Sequence, residues 1–226
     1  MRIMILALDS ATDIIYLSVF NDSEAFSLAI PSEQGKRHSV LLMKSIDTLL
    51  ANHNLLPTQI QGVVCGVGPG GFTSLRVGVA TAEGLAIGGL PTWGFTSFEF
   101  RRAALHLDQR LSTCWIALEG QRGDLFVQPW NHEAPLAPAS LKSIPRFKEA
   151  VGHNPWWAPR AILEKINHTH PPISIADEEN AMLRGLVALG RLKIKAPPQK
   201  PLVPFYIRDT DAEIHLRSSR DHPVSS

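Results

Sequence analysis

The chain has 226 residues, a length that suits one large domain or two small lobes with a buried core. Hydrophobic residues make up 44% and charged residues 19%, and these globular proportions exclude disordered, collagen-like and coiled-coil proteins. Because 22 Lys and Arg residues balance 21 Asp and Glu residues, the net charge is only +1, unlike that of dedicated nucleic-acid binders. We therefore expect any RNA contact to be local or made through a partner.

The apolar run at the N-terminus predicts a strand and not a targeting segment. It extends only from Ile3 to Leu8, too short for a signal peptide or a membrane span. We therefore expect a cytoplasmic protein without membrane contact. Cys65 and Cys114 lie in strand-like apolar segments, so we expect two buried, reduced thiols and no disulfide.

The first 110 residues alternate between short apolar runs and segments with helical periodicity. The predicted strands are Ile3–Leu8, Ile14–Phe20, Glu24–Ile30, Gly62–Val67 and Pro91–Phe95. The predicted helices are His38–Asn52, Thr73–Ala86 and Ser97–Leu107. This alternation indicates an α/β lobe.

The first predicted helix carries more apolar side chains than one face holds. A helical wheel places one group on a shared face, and its members are Leu42, Met43, Ile46, Leu49 and Leu50. Val40 and Leu41 fall outside that face, which predicts cover on more than one side. The second helix is rich in small residues such as Gly78 and Ala82, which predicts a close neighbour.

The amino-acid composition of the sequence changes near residue 110. Most of the 17 prolines lie at or after Pro129, whereas most of the 16 glycines lie before residue 95. We therefore predict two lobes, residues 1–110 and 111–226. In the second lobe the predicted strands are Ser112–Leu118 and Asp124–Trp130, and the predicted helix is Asp177–Lys193. We expect Ala134–Pro172 to be irregular and the tail after Arg217 to be frayed.

A glycine-rich loop connects the fourth strand to the second helix. Gly66, Gly68 and Gly71 have the G-x-G-x-x-G spacing of a dinucleotide-binding loop. Pro69 removes one phosphate-binding amide, and Phe72 replaces the lysine of a Walker A motif. These departures favour a structural glycine turn.

The first strand ends in Asp9, Ser10 and Thr12, which have two interpretations. An aspartate with neighbouring hydroxyls and amides can organise magnesium and phosphate. The same residues can close a turn by bonding their own backbone. The local sequence leaves both interpretations open.

No arrangement typical of a metal centre or a catalytic nucleophile is found in the sequence. No two of the nine histidines are four residues apart, and His168 and His170 lie among prolines, where a surface loop is favoured. A Gly-x-Ser-x-Gly elbow is absent, and Cys65 in an apolar strand has no activating partner. We predict no metal site and no catalytic residue.

Three motifs together resemble the bacterial TsaB family, also called YeaZ. They are LALDSAT from Leu6, RHSVLLM from Arg37 and GVGPGGFTSLRVGVATAEGLA from Gly66. Family members usually have Ser and Gly where this chain has Gly71 and Ser74. The resemblance becomes weaker after about residue 105. Glu119, Gly120 and Gln121 stand where the family has Asp-Ala-Arg. The sequence PFYIR from Pro204 fits the closing motif of the family.

The resemblance implies an actin-like ATPase (ASKHA) fold with two lobes, the C-terminal lobe being reduced. In such folds the aspartate that corresponds to Asp9 helps to hold magnesium, and an acidic glycine-rich turn of the other lobe clamps phosphate. No Asp-x-Gly-Gly turn follows residue 110, so the resemblance implies only a remnant of a nucleotide loop. Its residues would be Asp9, Ser10, Thr12, Gly68, Gly70 and Gly71. We expect Asp9→Ala to leave the fold intact.

The resemblance also implies a partner interface on the first two helices. Its residues would be His38, Leu41, Leu42, Met43, Arg76, Gly78, Val79 and Ala82. In the family, these helices form a bundle with the transferase TsaD, or a homodimer when the chain is alone. Packing within the chain's own core explains the same apolar pattern. If the interface is real, Gly78→Leu should weaken the complex more than the monomer.

The resemblance implies a non-catalytic scaffold or activator in the modification of tRNA with threonylcarbamoyladenosine next to the anticodon. The implied partners are a TsaD-like transferase, a TsaE-like ATPase and, through the complex, tRNA. The chain would carry no cofactor itself, and ATP and metal would belong to the partner, since the His-x-x-x-His pair of TsaD is absent here. The alternative is a stand-alone kinase or ATPase using Asp9 and the glycine loop. A glycopeptidase lacks support because no metal pair or nucleophile elbow is found.

Overall fold

Two β-sheets with helices between and outside them make up the structure, a computed structural model that describes residues 3–31, 38–109, 112–120 and 122–207. The predicted α/β class is confirmed. The predicted strands and helices recur within two residues of their expected bounds. None of the described helices combines the length and hydropathy that crossing a bilayer requires.

The first sheet contains five strands in the order β3-β2-β1-β4-β5. They are β1 (Met4–Asp9), β2 (Ile14–Phe20), β3 (Ala25–Pro31), β4 (Ile60–Gly66) and β5 (Thr92–Phe95). The first three are antiparallel neighbours, whereas β1, β4 and β5 run parallel. Because parallel strands end at the same edge, the carboxyl ends of β1 and β4 bring Asp9 and the glycine loop together.

Helices α1 (His38–Asn52) and α2 (Phe72–Leu85) cover one face of this sheet. Four members of the predicted apolar face of α1 are buried in the core, namely Leu42, Ile46, Leu49 and Leu50. The fifth, Met43, is 41% exposed, so the apolar face of the helix extends beyond the buried one. Met43 lies at the border of the arc, where the rotation of the helix on the sheet decides exposure. Leu41 is half-buried against the same core, and Val40 is exposed.

Helices α3 (Ser97–Gln109) and α6 (Glu178–Lys193) lie between the two sheets. One apolar cluster joins Tyr16 and Phe95 of the first sheet to Ile116 of the second through Phe100 and Leu186 of these helices. A continuous core therefore connects the two sheets. The predicted lobe boundary falls at residues 110 and 111, outside the described residues, and stays a prediction.

The second sheet has four strands in the order β8-β7-β6-β9. They are β6 (Thr113–Glu119), β7 (Leu125–Asn131), β8 (Ser140–Lys142) and β9 (Trp156–Trp157), and helices α4 (Ile144–Val151) and α5 (Arg160–Ile166) cover its outer face. The expectation that Ala134–Pro172 is irregular was therefore wrong. A proline within this segment does not prevent a helix from forming when it lies at the start of the helix. Pro145, for example, lies in the first turn of α4, where the amide of a residue has no partner within the helix.

Residues 196–207, which we call the C-terminal strap, follow α6 back across the edge of the first sheet. The Gln199 amide donates to the Thr92 carbonyl at 2.7 Å, and the Phe205 amide donates to the Val67 carbonyl at 2.7 Å. The strap thereby covers the open edge of β5. The predicted frayed tail after Arg217 lies outside the described residues.

The packing of α3 on α6 depends on a glycine. A Cβ atom on Gly185 of α6 would lie 2.7 Å from the backbone nitrogen and Cα of Ala104. We expect Gly185→Ala to lower the free energy of unfolding by about 1 to 3 kcal/mol, because backbone must move. Gly84→Ala is the matched control, since Gly84 lies in α2 with open space around it. It should stabilise the helix by up to about 1 kcal/mol. Urea unfolding measures both, and equal effects would contradict this packing.

Candidate functional site

The end of β1 carries a buried ion pair. Asp9 has no exposed surface, and its Oδ2 atom accepts a hydrogen bond from Nη1 of Arg101 at 3.1 Å. Arg101 lies on α3 and is only 3% exposed. The pair therefore neutralises two charges inside the core, where a single charge would be costly.

Two aromatic rings and the partly buried carboxyl group of Glu178 lie near the guanidinium of Arg101. Its Cζ atom lies 4.2 Å from the ring centroid of Phe100 and 5.6 Å from that of Tyr16. Burial raises the pKa of Tyr16 to about 12, although the positive charge of Arg101 opposes the shift. Burial also raises the pKa of Glu178, against the opposing charges of Arg101 and Arg160. Since Asp9 and Arg101 are themselves almost wholly buried, water has little access to the ion pair.

The second carboxylate oxygen of Asp9 is enclosed by β4. Among the described residues, Asp9 Oδ1 has no hydrogen-bond partner. A Cβ atom on Gly66 would lie 2.2 Å from this oxygen, so only glycine fits there. A magnesium ion on Asp9 would lie close to the guanidinium of Arg101, a charge of the same sign. The residues present therefore do not fit the magnesium site that the resemblance implies for Asp9.

The glycine loop packs against the turn that follows β1. The Gly71 amide donates to the Ala11 carbonyl at 2.8 Å, and a Cβ atom on Gly70 would lie 2.2 Å from that carbonyl oxygen. Gly68 has a φ of +98°, and its carbonyl accepts from the Ser97 amide at 2.7 Å. These contacts support the structural glycine turn that the sequence favours.

The hydroxyl groups of the same turn bond to carbonyls of the chain. Ser10 Oγ donates to the Ser74 carbonyl at 2.8 Å, and Thr12 Oγ1 donates to the Ile14 carbonyl at 3.1 Å. The structure thus places the six residues of the predicted nucleotide loop near one another, and the hydroxyls of Ser10 and Thr12 are used within the chain. Their origin as a remnant of a nucleotide site stays a prediction.

Half of the predicted interface residues face the chain's own core. Leu42, Val79 and Ala82 are buried in the cluster beneath α1 and α2. A Cβ atom on Gly78 would lie 2.3 Å from Ser10 Oγ. Their burial within the chain speaks against direct contact of these four residues with a partner, while the expectation that Gly78→Leu harms the complex most stays a prediction. Tight packing selects a small residue here as effectively as an interface does.

The remaining predicted interface residues leave part of the prediction open. Met43 and Arg76 are exposed, Leu41 is half-buried, and the side chain of His38 lies outside the described residues. The structure adds two exposed apolar side chains on the same helices, Val40 and Phe72. The partner interface itself stays a prediction.

The structure also identifies residues that sequence reasoning missed. Arg101 had no signal as the partner of Asp9, because 92 residues separate the two positions. Both cysteines are buried and free, as predicted, and burial raises the pKa of Cys65 and of Cys114. Within the described ranges, no three His, Cys, Asp or Glu side chains form a group that could hold a metal ion.

Sequence comparisons match this chain to proteins whose names refer to threonylcarbamoyladenosine in tRNA. A family model described as TsaD, tRNA N6-adenosine threonylcarbamoyltransferase, matches residues 23–110. The tRNA threonylcarbamoyladenosine biosynthesis protein TsaB of Haemophilus influenzae is 34% identical over 88 residues, or 38% of this chain and 36% of the relative. The TsaB protein of Escherichia coli is 33% identical over 126 residues, 54% of this chain and 52% of the relative.

The similarity to a third relative extends over nearly the whole chain. The alignment with TsaB of Bacillus subtilis is 26% identical over 222 residues and covers 92% of this chain and 96% of the relative. The first two alignments span about a third and about half of the relatives they match.

A solved structure has the same fold. The structure described as YeaZ from Pseudomonas aeruginosa superposes with a TM-score of 0.72 at 15% identity, covering 91% of this chain and all of that one. The predicted fold class is confirmed by this likeness and by the two-sheet α/β architecture.

The ion pair between Asp9 and Arg101 leads to a correction and a prediction. Asp9→Ala would leave a buried guanidinium without its counter-charge, so the expectation of an intact fold gives way to a large destabilisation. We expect a loss of about 3 to 5 kcal/mol in the free energy of unfolding. Glu119→Ala is the control, since it removes an exposed ion pair to Lys165 at 2.7 Å and should change stability little. Urea unfolding that gave Asp9→Ala and Glu119→Ala the same small effect would contradict the assignment.

The raised pKa of Tyr16 predicts a pH dependence of stability. Because its pKa is about 12 in the folded state, against 10.0 for an ordinary tyrosine, the folded protein retains this proton in a range where the unfolded chain releases it. The contribution is fully present below pH 10 and is lost as the pH rises toward 12. It amounts to roughly 2 to 3 kcal/mol, at about 1.4 kcal/mol per pKa unit. Tyr16→Phe cannot ionise, so its unfolding free energy should fall less between pH 9 and 12. Parallel curves for the two proteins would refute the shift.

Proposed function

The resemblance to the TsaB family is confirmed, and from it we propose that this chain is a non-catalytic subunit in the threonylcarbamoyladenosine modification of tRNA. It binds a TsaD-type transferase and stabilises the conformation of that transferase that is competent for transfer. Such an activator works by binding one conformation of its partner more tightly than the other. It needs a stable surface and no reactive group of its own.

The buried ion pair of Asp9 and Arg101 carries the non-catalytic part of this proposal. In the actin-like fold, the aspartate at this place helps to hold magnesium, and here its charge is already matched by an arginine 3.1 Å away. Binding a metal ion would require Arg101 to leave a site in which it is almost wholly buried. The cost of exposing or leaving unpaired such charges opposes nucleotide-metal binding.

The outer side of α1 and α2 supports the partner-binding part. Val40 and Met43 of α1 and Phe72 of α2 are large apolar side chains that the chain's own core does not cover. Large apolar and aromatic side chains are enriched at the centres of protein interfaces. The helix pair is also where the resemblance places the bundle with the transferase, or the homodimer of the isolated chain.

The wider complex is part of the same proposal. A TsaE-like ATPase and the transferase would supply ATP and metal, and tRNA would reach this subunit through the complex. The near balance of acidic and basic residues supports that indirect contact, because direct tRNA binding draws on clustered positive charge. A cytoplasmic location follows from the proposed reaction.

The alternative function, a stand-alone kinase or ATPase, requires Asp9 and the glycine loop to bind magnesium and phosphate. The arginine beside Asp9 and the packing of the loop on Ala11 speak against it. The purified chain, incubated with magnesium and ATP and no partner, distinguishes the two functions. Turnover would favour the kinase, and its absence would favour the scaffold.

The interface is tested at Met43 and not at Leu41, because Leu41 is half-buried against the chain's core. Met43→Glu places a carboxylate on the exposed side of α1, so the unfolding free energy should change by less than about 0.5 kcal/mol. The dissociation constant for the TsaD-type transferase of the same genome should rise at least about tenfold, because the charge would be desolvated at the interface. Isothermal titration calorimetry measures that constant.

Leu136→Glu is the matched control for this experiment. Leu136 is 56% exposed and follows β7 of the second sheet, away from α1. This variant should bind the transferase like the wild type. If the wild type does not bind the transferase, the proposed function is wrong. If Met43→Glu binds as tightly as Leu136→Glu, the interface does not include this face of α1.

A further inference from the structure

Arg76 of α2 contacts two aromatic side chains, that of Phe72 one turn earlier in the same helix and that of Tyr206 in the C-terminal strap. Its Cζ atom lies 3.7 Å from the ring centroid of Phe72 and 5.9 Å from that of Tyr206. Its Nε atom donates a hydrogen bond to the hydroxyl oxygen of Tyr206 at 3.0 Å. A guanidinium stacked on one ring and bonded to another side chain has little freedom to rotate.

The C-terminal strap fixes Tyr206 in its place. On one side of the strap, the Leu202 amide donates to Oε1 of Glu83 on α2 at 2.7 Å. On the other, the amide of Phe205, the residue before Tyr206, donates to the carbonyl of Val67 at the end of β4. Tyr206 is thereby attached to the first sheet and to α2 at once. Its position does not depend on Arg76 alone.

Within the residues that the structure describes, the positioned arginine has no counter-charge. Across the described ranges, no carboxylate forms an ion pair with Arg76, and its Nη1 and Nη2 atoms have no hydrogen-bond partner. Phe72 and Tyr206 beside it are both partly exposed. An oriented guanidinium with free terminal nitrogens matches a carboxylate, which accepts two parallel hydrogen bonds from it.

We infer that Tyr206 is a positioning residue that holds Arg76 ready for an ion pair with a carboxylate of the transferase partner, so that the C-terminal strap belongs to the partner surface. This inference rests on the proposed function. Pre-organisation lowers the side-chain entropy that Arg76 loses when it binds. Arg and Tyr with a flanking aromatic ring are also the residue types that carry most binding energy at protein interfaces.

The transferase is a better match for this surface than RNA. A phosphate could also accept a hydrogen bond from Arg76, but a protein that binds the phosphate backbone of RNA uses several positive side chains. The basic side chain that the strap contributes, Lys200, donates instead to the Ala86 carbonyl at 3.1 Å. The apolar surroundings of Arg76 fit a protein interface, and RNA contact becomes an outcome of the test.

The test is a double-mutant cycle on the affinity for the TsaD-type transferase, measured by calorimetry at two salt concentrations. Arg76→Gln should raise the dissociation constant at least about tenfold at low salt and should weaken its salt dependence. Arg76→Lys should restore only part of the affinity, because an ammonium group lacks the planar fork. Tyr206→Phe keeps the ring and removes the hydroxyl, and it should raise the constant about three- to fivefold. In the Arg76→Gln background, Tyr206→Phe should have no effect, since a positioning residue acts through the residue that it positions.

Arg184→Gln is the control, since Arg184 is an exposed arginine on α6, on the opposite face of the first sheet. It should leave the affinity and its salt dependence unchanged, and thermal unfolding without partner should show every variant folded, with midpoints within a few degrees of the wild type. A Tyr206→Phe effect that persists without Arg76, or wild-type binding by both variants, would overturn the inference while the proposed function stands. A loss of tRNA affinity in Arg76→Gln with unchanged transferase affinity would overturn it in favour of RNA contact. If the wild type fails to bind the transferase, the proposed function fails and the inference falls with it.

Discussion

The carboxylate of Asp9 lies without exposed surface at the end of β1, and the fold tolerates its charge because Arg101 of α3 pairs with it. The free energy that two charges lose when they leave water for an apolar interior is offset only when the two groups are in direct contact. That condition fixes the distance between the central strand of the first sheet and α3. α3 in turn packs on α6, and both helices belong to the apolar cluster that connects the two sheets.

The same pair occupies the carboxylate that the resemblance would assign to magnesium. The aspartate is present, but the positive charge beside it belongs to the protein. The glycine loop is likewise packed within the fold, since the Gly71 amide donates to the Ala11 carbonyl and a Cβ atom on Gly66 would strike Asp9. Groups that could serve a ligand serve instead to bring β1, β4 and α2 into close contact. What remains for function is the outer side of the helices.

That outer side is built by segments far apart in the sequence. α1 contributes Val40 and Met43, α2 contributes Phe72 and Arg76, and the C-terminal strap contributes Tyr206. The strap also pairs with β5 through Gln199 and Thr92, so it closes a sheet edge while it stiffens α2. A helix with a stiffened surface loses less entropy when a partner binds, which suits the proposed role as a scaffold.

The sequence by itself determined the strands and helices, the α/β class, the buried free thiols and the resemblance to the TsaB family. β2 and α1 have the predicted bounds because apolar periodicity and turn residues act locally. Only the tertiary structure decided which side chains meet. The partner of Asp9 lies 92 residues away, and that of Arg76 lies 130 residues away. It also decided that Met43 is exposed, that Gly78 faces Ser10, and that Ala134–Pro172 contains ordered strands and helices. These outcomes depend on how one element rotates and packs against another, which local periodicity does not encode.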